Sequence, residues 1–582
     1  MGIFRVLCGV WVLSFVVLAA LGAEASANDG ERRPSFKELS TANSFGLISQ
    51  ADPSQDRFPD LDLSPEPLEP SSPEEEVTPP ASEDTPAPSD NTLERLEIRQ
   101  IEVVGSTVFD DQELMQVIAE QLGTVAQSDE PLNLTVEELQ DVADAITGHY
   151  LKSGYITSRA IVPEQTIADG VIQIQVIEGS LEEIQIAGTE RLAAYAHSRV
   201  ALAGKTPVNS IRIEEQLRLL KTDPLFDEVT ADLAPGTAVG QSLLIVTVTE
   251  AAPLQGSLSF DTLSPLSVGR YRGGARLEYL NLLGLGDRLS TAANVTTTGG
   301  SEAYEIAYQV PLNPMNGTIL LRVAPSDFRI TNRSATPSRL DASGSTEIYE
   351  ASIRQPLIRS LREEFALSAG LRYREGSSVV AGNVTPSIRT SVVSLGQDYL
   401  KRDTQGAWAL QSQFRIGTDL FDATDTNDSF FVWAGQAQRS QVINPKHLLV
   451  FQTNWQITDD RLPGSEQFFL GGPSSVRGYF QNEQFGDSGF RFSVSDYITL
   501  QRNQDNNAVL QLVPFVDLAY AWFSDDDVQD ALGDDNFLLS TGIGLVVNPV
   551  EGLSASVDLG VPLVSTDESP DILVDFNLRY RF

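Results

Sequence analysis

Arg477 stands in the stretch Gly471-Gly472-Pro473-Ser474-Ser475-Val476-Arg477-Gly478-Tyr479, between glycine-rich breaks in an otherwise polar segment. A guanidinium holds its donors in a rigid planar fork and can grip one carboxylate with two parallel bonds. In a narrow cavity such a pair would fix a loop tip. On an open surface it is worth only about 0–1 kcal/mol, and Arg477 then reads as a solvated loop charge. Forty residues further on, Asp517 lies in an alternating run: Val513, Phe515, Asp517 and Ala519 fall on one face, Leu512, Pro514, Val516 and Leu518 on the other. A strand here holds one carboxylate among the groups of its inner face and turns an apolar face the other way.

Other chemistries fail on residue type or spacing. Cys8 is the only cysteine and lies in an N-terminal segment expected to be removed, so thiolate metal sites, cysteine nucleophiles and disulfides are excluded from the mature chain. His149, His197 and His447 are far apart, which argues against a His-rich metal site. Gly204-Lys205-Thr206 looks like the end of a phosphate loop, but the glycine required five residues earlier is Arg199. His447 is the only histidine of the C-terminal region and follows a turn, Asn444-Pro445-Lys446, which leaves no Ser/His/Asp set. The acidic runs Asp525-Asp526-Asp527 and Asp534-Asp535 lack the spacing of a tight calcium loop. With 40 basic against 80 acidic residues the net charge is −40, which argues against nucleic-acid binding. No catalytic residue, cofactor or metal is expected.

The elements that must position Arg477 and Asp517 come from a chain of 582 residues, long enough for several domains. Residues 1–27 read as a secretory signal peptide: Arg5, an apolar run from Val10 to Leu21, and small-x-small sites at Ala23-Glu24-Ala25 and Ala25-Ser26-Ala27. Residues 28–50 include Ser35 to Gln50, which reads either as a short helix or as tail. Residues 51–96 read as a linker; 51–90 hold 10 prolines and 12 acidic residues against Arg57 alone. Residues 97–179 follow a β-α-α-β-β plan. A strand ends at Gly105, and helices run over Asp110–Leu122 and after the capping box Thr135-Val136-Glu137-Glu138. Strands follow over Thr157–Val162 and Val171–Ile177. Residues 180–253 repeat that plan, with Gly188 in the place of Gly105. From 254 to 582 helical periodicity gives way to alternation. Its last strand sets Ile572, Val574, Phe576, Leu578, Tyr580 and Phe582 against Asp571, Asp575, Asn577, Arg579 and Arg581. Alternation fits a transmembrane barrel with a lipid face and a wet face, or a soluble sandwich with one face packed inward. At about 20 residues per strand and connection, a barrel would have roughly 16 strands. The region carries 23 arginines, some of which must face the lumen.

These stretches together resemble one family. Gly154-Tyr155-Ile156-Thr157-Ser158-Arg159-Ala160, Pro163-Glu164-Gln165 and Val176-Ile177-Glu178-Gly179 are similar to the first POTRA domain of the outer-membrane transporters of two-partner secretion, a branch of the Omp85 superfamily. Tyr271-Arg272-Gly273 and Asn281 to Asp287 resemble the opening of the superfamily's barrel. Val476-Arg477-Gly478-Tyr479 matches its VRGY motif and Phe515-Val516-Asp517 its Phe-x-Asp motif. The resemblance implies a 16-stranded transmembrane β-barrel preceded by two α+β POTRA domains, with a loop near 459–490 folded into the lumen. It implies that Arg477 pairs with Asp517 on the barrel wall and that Phe582 signals outer-membrane assembly. It also implies a location: the barrel in the outer membrane, the POTRA domains in the periplasm. The implied activity is secretion, without ATP, of an unfolded exoprotein bearing an N-terminal secretion domain. The implied partners are that exoprotein, outer-membrane lipid and the barrel assembly machinery, with the transporter a monomer. An insertase for other barrels is the rival within the superfamily; a passive solute porin is the rival outside it. Gly154, Gly179 and Gly188 are expected as turn residues with positive φ. The outer strands of the POTRA units are expected either to receive an extended polypeptide or to be covered by a neighbour.

Overall fold

The computed structural model describes residues 95–582 apart from 124–130, 168, 333–340, 382, 385–386, 423–428, 505, 526–535 and 567–568. The signal, N-terminal segment and most of the linker read from sequence lie outside the described residues, as does most of each acidic run.

The first unit is built on β1 (Leu96–Ile98), β2 (Gln100–Val104), α1 (Asp111–Leu122), β3 (Leu132–Leu134), α2 (Val136–Lys152), β4 (Arg159–Ile161) and β5 (Val171–Ile177). β2 pairs in parallel with β5, which pairs antiparallel with β4. The sequence plan missed the small β1–β3 ladder, whose first strand opens at Leu96, inside the span assigned to the linker. Short three-residue strands carry no periodic signal of their own. Helix α2 begins where Thr135 caps Glu138 N and Glu138 reaches back to Thr135 N, as the capping-box pattern demands. Its residues Leu139, Val142, Ala143, Ile146 and Tyr150 recur at helical spacing and are all buried against Ile98, Ile101, Leu114, Ile118 and Ile174.

The second unit repeats the design with β6 (Ser180–Ala187), α3 (Ala193–Val200), α4 (Ser210–Lys221), β7 (Phe226–Pro235) and β8 (Gln241–Glu250). β6 is parallel to β8 and β7 antiparallel to it, the same three-stranded topology. The repeat extends to single residues. Gly105 and Gly188 have φ of 89° and 86°, and a Cβ on either would press against a carbonyl of the matching strand, that of Val176 or Val248. Glu178 closes the first unit by accepting from Thr107 N at 2.7 Å and Tyr150 Oη at 2.9 Å. Glu250 takes the hydroxyl of Thr189 in the second. The units are joined where Ser210 N donates to Gly154 O at 2.8 Å and Asn209 Nδ2 to Ser153 O at 2.9 Å. Gly154 has the expected positive φ of 86°. Gly179 does not; it is glycine because a Cβ would collide with Thr157.

The remaining chain forms a closed antiparallel barrel of 16 strands. They are β9 (Leu254–Asp261), β10 (Arg272–Leu280), β11 (Arg288–Thr296), β12 (Ser301–Pro311), β13 (Thr318–Arg329), β14 (Ala342–Arg359) and β15 (Glu363–Val380), then, past the two-residue β16 (Asn383–Val384), β17 (Ile388–Asp403), β18 (Gly406–Thr418), β19 (Phe431–Asn444) and β20 (His447–Ile457). After a loop holding the hairpin of β21 (Phe468–Leu470) and β22 (Gln484–Gly486) come β23 (Ser488–Arg502), β24 (Ala508–Trp522), β25 (Phe537–Val550), β26 (Leu553–Pro562) and β27 (Leu573–Arg581). β27 closes on β9 from Asn577–Asp261 to Arg581–Ser257. Alternation sorts the faces. On β27, Val574, Leu578 and Tyr580 are 44–47% exposed toward the lipid side, while Asp575 is 3% exposed inside. Leu573, which broke the polar pattern in the sequence, is buried on the inner face. The soluble sandwich is thereby set aside.

Candidate functional site

The connection between β20 and β23 does not leave the barrel. Residues 458–487 turn back inside, and the β21–β22 hairpin stiffens them. Leu470, Val476 and Tyr479 from this loop pack with Ala519 and Ala521 of β24 and Leu538 of β25, all at 0% exposure. A dry contact of this kind holds the tip against the wall before any charge is considered.

The structure brings Arg477 and Asp517 together. Arg477 Nε lies 2.7 Å from Asp517 Oδ2 and Nη2 2.7 Å from Oδ1, the two-bond fork of a guanidinium on a carboxylate. The Arg477 main-chain N–H adds a third bond to Oδ2 at 3.1 Å. Ser493 Oγ donates to Oδ1 at 2.6 Å, and Arg477 Nη2 reaches Ser493 Oγ and Ser495 Oγ at 3.1 and 3.0 Å. The guanidinium lies 3.6 Å over the ring of Phe515, which explains an aromatic residue two positions before the aspartate on the same face. Side-chain exposure is 12% for Arg477 and 1% for Asp517, so neither charge has water enough to stand alone.

The flanking motif residues have separate tasks. Gly478, at φ 94°, brings the loop backbone onto β26; a Cβ there would sit 3.0 Å from the carbonyl carbon of Gly560. Val476 fills the contact with β24 and β25. The Tyr479 hydroxyl lies 2.8 Å from Leu539 O and 2.7 Å from Val564 O and accepts from Leu539 N at 3.2 Å, with its single hydrogen serving one carbonyl at a time. Phe582, at the chain end, exchanges two main-chain bonds with Gly256 of β9, 2.9 and 3.0 Å long, and so adds one rung to the closing seam. The serines at 493 and 495 and the wall glycine at 560 escaped the sequence reading; alternation about Asp517 on the neighbouring strand was the one signal available.

The second unit rests on the turns of the barrel. Arg191 Nη2 donates to Asn281 O at 2.8 Å, and Arg199 Nη2 to Asn316 Oδ1 at 3.3 Å. Arg199, the residue that spoiled the phosphate-loop pattern, stacks 3.3 Å over Tyr195, whose hydroxyl donates to Asp223 at 2.6 Å. Burial, reinforced by the Asp223 charge, pushes the Tyr195 phenol well above its usual range. The outer strands of the sheets of the two units, β2 and β4, β6 and β7, pair with no strand of a neighbouring unit among the described residues. His447 lies at a turn and meets Asp496 at 2.8 Å. Among the described residues no group of three or more His, Cys, Asp or Glu side chains could hold a metal ion.

A 16-stranded barrel crossed by its own loop and preceded by two units of one plan, the first of them a POTRA domain, defines an outer-membrane β-barrel protein with a POTRA-bearing N-terminal part. The family profile described as haemolysin secretion/activation protein ShlB/FhaC/HecB matches residues 240–545, and the ShlB-type POTRA domain matches residues 96–179. The chain belongs to that ShlB/FhaC/HecB family. Among its relatives, the outer membrane transporter CdiB of Dickeya dadantii is 26% identical over 61% of this chain and 65% of its own length, and that of Escherichia coli 28% over 61% and 62%. The chain therefore aligns with less than two thirds of either relative. The heme/hemopexin transporter protein HuxB of Haemophilus influenzae is 20% identical over 79% of this chain and 84% of its own. The solved structure of CdiB from Escherichia coli shares the fold at a TM-score of 0.65, with 24% identity, covering 86% of this chain and 93% of that one.

Proposed function

We propose that this protein is an outer-membrane translocation pore that captures an unfolded exoprotein on its periplasmic POTRA units and secretes it through the barrel without ATP. The observation that carries the reading is the loop of residues 458–487, pinned inside the lumen by Arg477 on Asp517 and joined in one chain to two sheets whose outer strands pair with no further strand among the described residues. Unpaired strand edges present N–H and C=O groups to an extended polypeptide, which is how a chain without side-chain specificity is held. Relatives bearing the names of transporters support it. The partner is an exoprotein with an N-terminal secretion domain, the barrel lies in outer-membrane lipid placed there by the assembly machinery, and the pore acts as a monomer. Arg477, Gly478, Tyr479, Val476, Phe515 and Asp517 hold the loop; Phe582 marks the chain for assembly. An insertase is disfavoured by the family, and a solute porin has no use for POTRA units.

Deleting residues 97–179 tests this. Secretion should be abolished while the barrel still assembles and migrates as a heat-modifiable species, because docking and conduction lie in different domains. Undiminished secretion by the deleted protein would overturn the reading.

A further inference from the structure

The loop of residues 458–487 makes a second ionic contact that no sequence motif marks. Glu466, 1% exposed, stands on its ascending limb. Both carboxylate oxygens lie 2.7 Å from Nη2 of Arg372 on β15, and Oε2 lies 3.2 Å from Nη1 of Arg415 on β18. The main-chain carbonyl of Glu466 accepts from Gln456 Nε2 at 2.9 Å, and Gln456 Oε1 accepts from Arg415 Nη2. Arg415 is itself 7% exposed. Below this contact Asp487, 1% exposed, accepts from Leu462 N at 3.1 Å and from Gln467 Nε2 at 3.0 Å, which ties the two limbs together.

We propose that Glu466 is a second anchor of the lumenal loop, clamping its base to Arg372 and Arg415 of the β15–β18 wall independently of the contact that clamps its tip to Asp517 on β24. Three observations lead there. The first is burial: a carboxylate this deep between two guanidiniums cannot withdraw without stranding charges of both signs away from water. The second is polarity. At the tip the loop supplies the cation and the wall the anion; at the base the loop supplies the anion and the wall the cations. A loop docked the other way round would set like charges together, so the pair of contacts fixes its orientation as well as its place. The third is continuity. Arg372 faces Glu350 in register across β14 and β15. Glu350 lies 3.2 Å from Arg322, and Arg322 2.9 Å from Glu305. The base of the loop is thus the end member of a belt of alternating charges on β12 to β15, whereas the tip is held by a separate cluster on β23 and β24. Glu466 is a positioning residue; it is not assigned contact with the secreted chain.

The proposal deepens the proposed function and rests on it for its consequence, but its test is made on purified full-length protein, where secretion plays no part. In a Cys8→Ser background, nitroxides attached through Gly464→Cys and Ser394→Cys report the base, and a second pair through Gln481→Cys and Ser556→Cys reports the tip. Glu466→Gln keeps the volume and an acceptor and removes the charge. It should lose the single narrow distance between 464 and 394 and keep that between 481 and 556. Arg477→Ala should do the reverse, and the double variant should lose both. If Glu466→Gln leaves the base distance as narrow as in the parent, or if either single variant loosens both pairs alike, the second anchor does not exist. Should Glu466→Gln fail to give a heat-modifiable barrel, Arg372→Gln, at a wall position 18% exposed, is read by the same labels with the same two outcomes. A loosened base with undiminished secretion would leave the anchor standing and count against the translocation reading.

Discussion

The first POTRA unit and the barrel hide opposite kinds of side chain. In the POTRA unit Ile98, Leu114, Ile146 and Tyr150 are at 0% exposure and the charges face water. In the barrel Glu305, Arg322, Arg415, Glu466 and Asp517 are 7% exposed or less, while Leu258, Ile306 and Leu321 stand more than half exposed on the outer face. The solvent makes the difference. Lipid accepts an isoleucine at no cost, so the barrel's outer face gains nothing by hiding apolar groups, and the charges turned inward must be paired. The same substitution therefore has opposite meanings in the two regions, and that contrast can be measured.

The largest effect should come from unpairing the lumenal charges. Arg477→Ala leaves the Asp517 carboxylate buried with only a serine hydroxyl and main-chain help, and breaking such a pair costs about 3–5 kcal/mol of the docked state. Asp517→Ala should cost as much, and the double variant little more than either, since coupled residues are non-additive. Secretion and protease access to the loop, measured across the four-protein cycle, check it; independent, additive losses would show that the two residues do not act as a pair. Next in size is the apolar contrast. Ile146→Ala opens a cavity in the POTRA core and should cost about 2–5 kcal/mol. Ile306→Ala, 58% exposed on the lipid face, should stay within about 0.5 kcal/mol. Hydrogen exchange of α2 for the first and the heat-modifiable transition of the barrel for the second would read them. Equal losses at both sites would mean that the outer face is packed against something other than lipid.

How far these features could be read in advance follows from the range of the contacts. Helix α2, with its capping box and its apolar stripe, is specified within 18 consecutive residues, Thr135 to Lys152, and needed nothing but periodicity. The inward face of Asp517 followed from alternation on one strand. That Arg477 meets it followed only from the motif resemblance, because a loop's path across a lumen leaves no periodic trace. Glu466 was invisible for the same reason: Leu462-Pro463-Gly464-Ser465-Glu466 reads as an ordinary loop charge, and its partners lie 94 and 51 residues away. Gly179 was misread because a glycine demanded by close approach and one demanded by positive φ look alike in sequence.

The most local effect sharpens the contrast of range. Arg477 and Asp517 are 40 residues apart and link two separate pieces of the barrel; Thr135 and Glu138 are three apart and link nothing but the first turn of α2. Thr135→Ala should therefore cost only about 1 kcal/mol, the usual worth of an N-cap, and the loss should be confined to fraying of that turn. The Glu138 carboxylate adds a dependence on pH. The Thr135 main-chain N–H, 2.7 Å away, holds its pKa below the usual 4.5. A carboxylate depressed in the folded state contributes its stabilisation fully above the unfolded value, and that contribution disappears as the pH falls through the folded one. Exchange protection of the first α2 amides in the full-length protein should thus be flat above the unfolded value and decline below about pH 4.5. Glu138→Gln should flatten the decline while the barrel amides keep the parent profile. A decline that persists unchanged in Glu138→Gln would assign it to another acid, and the capping box would then be a static device with no part in the acid response.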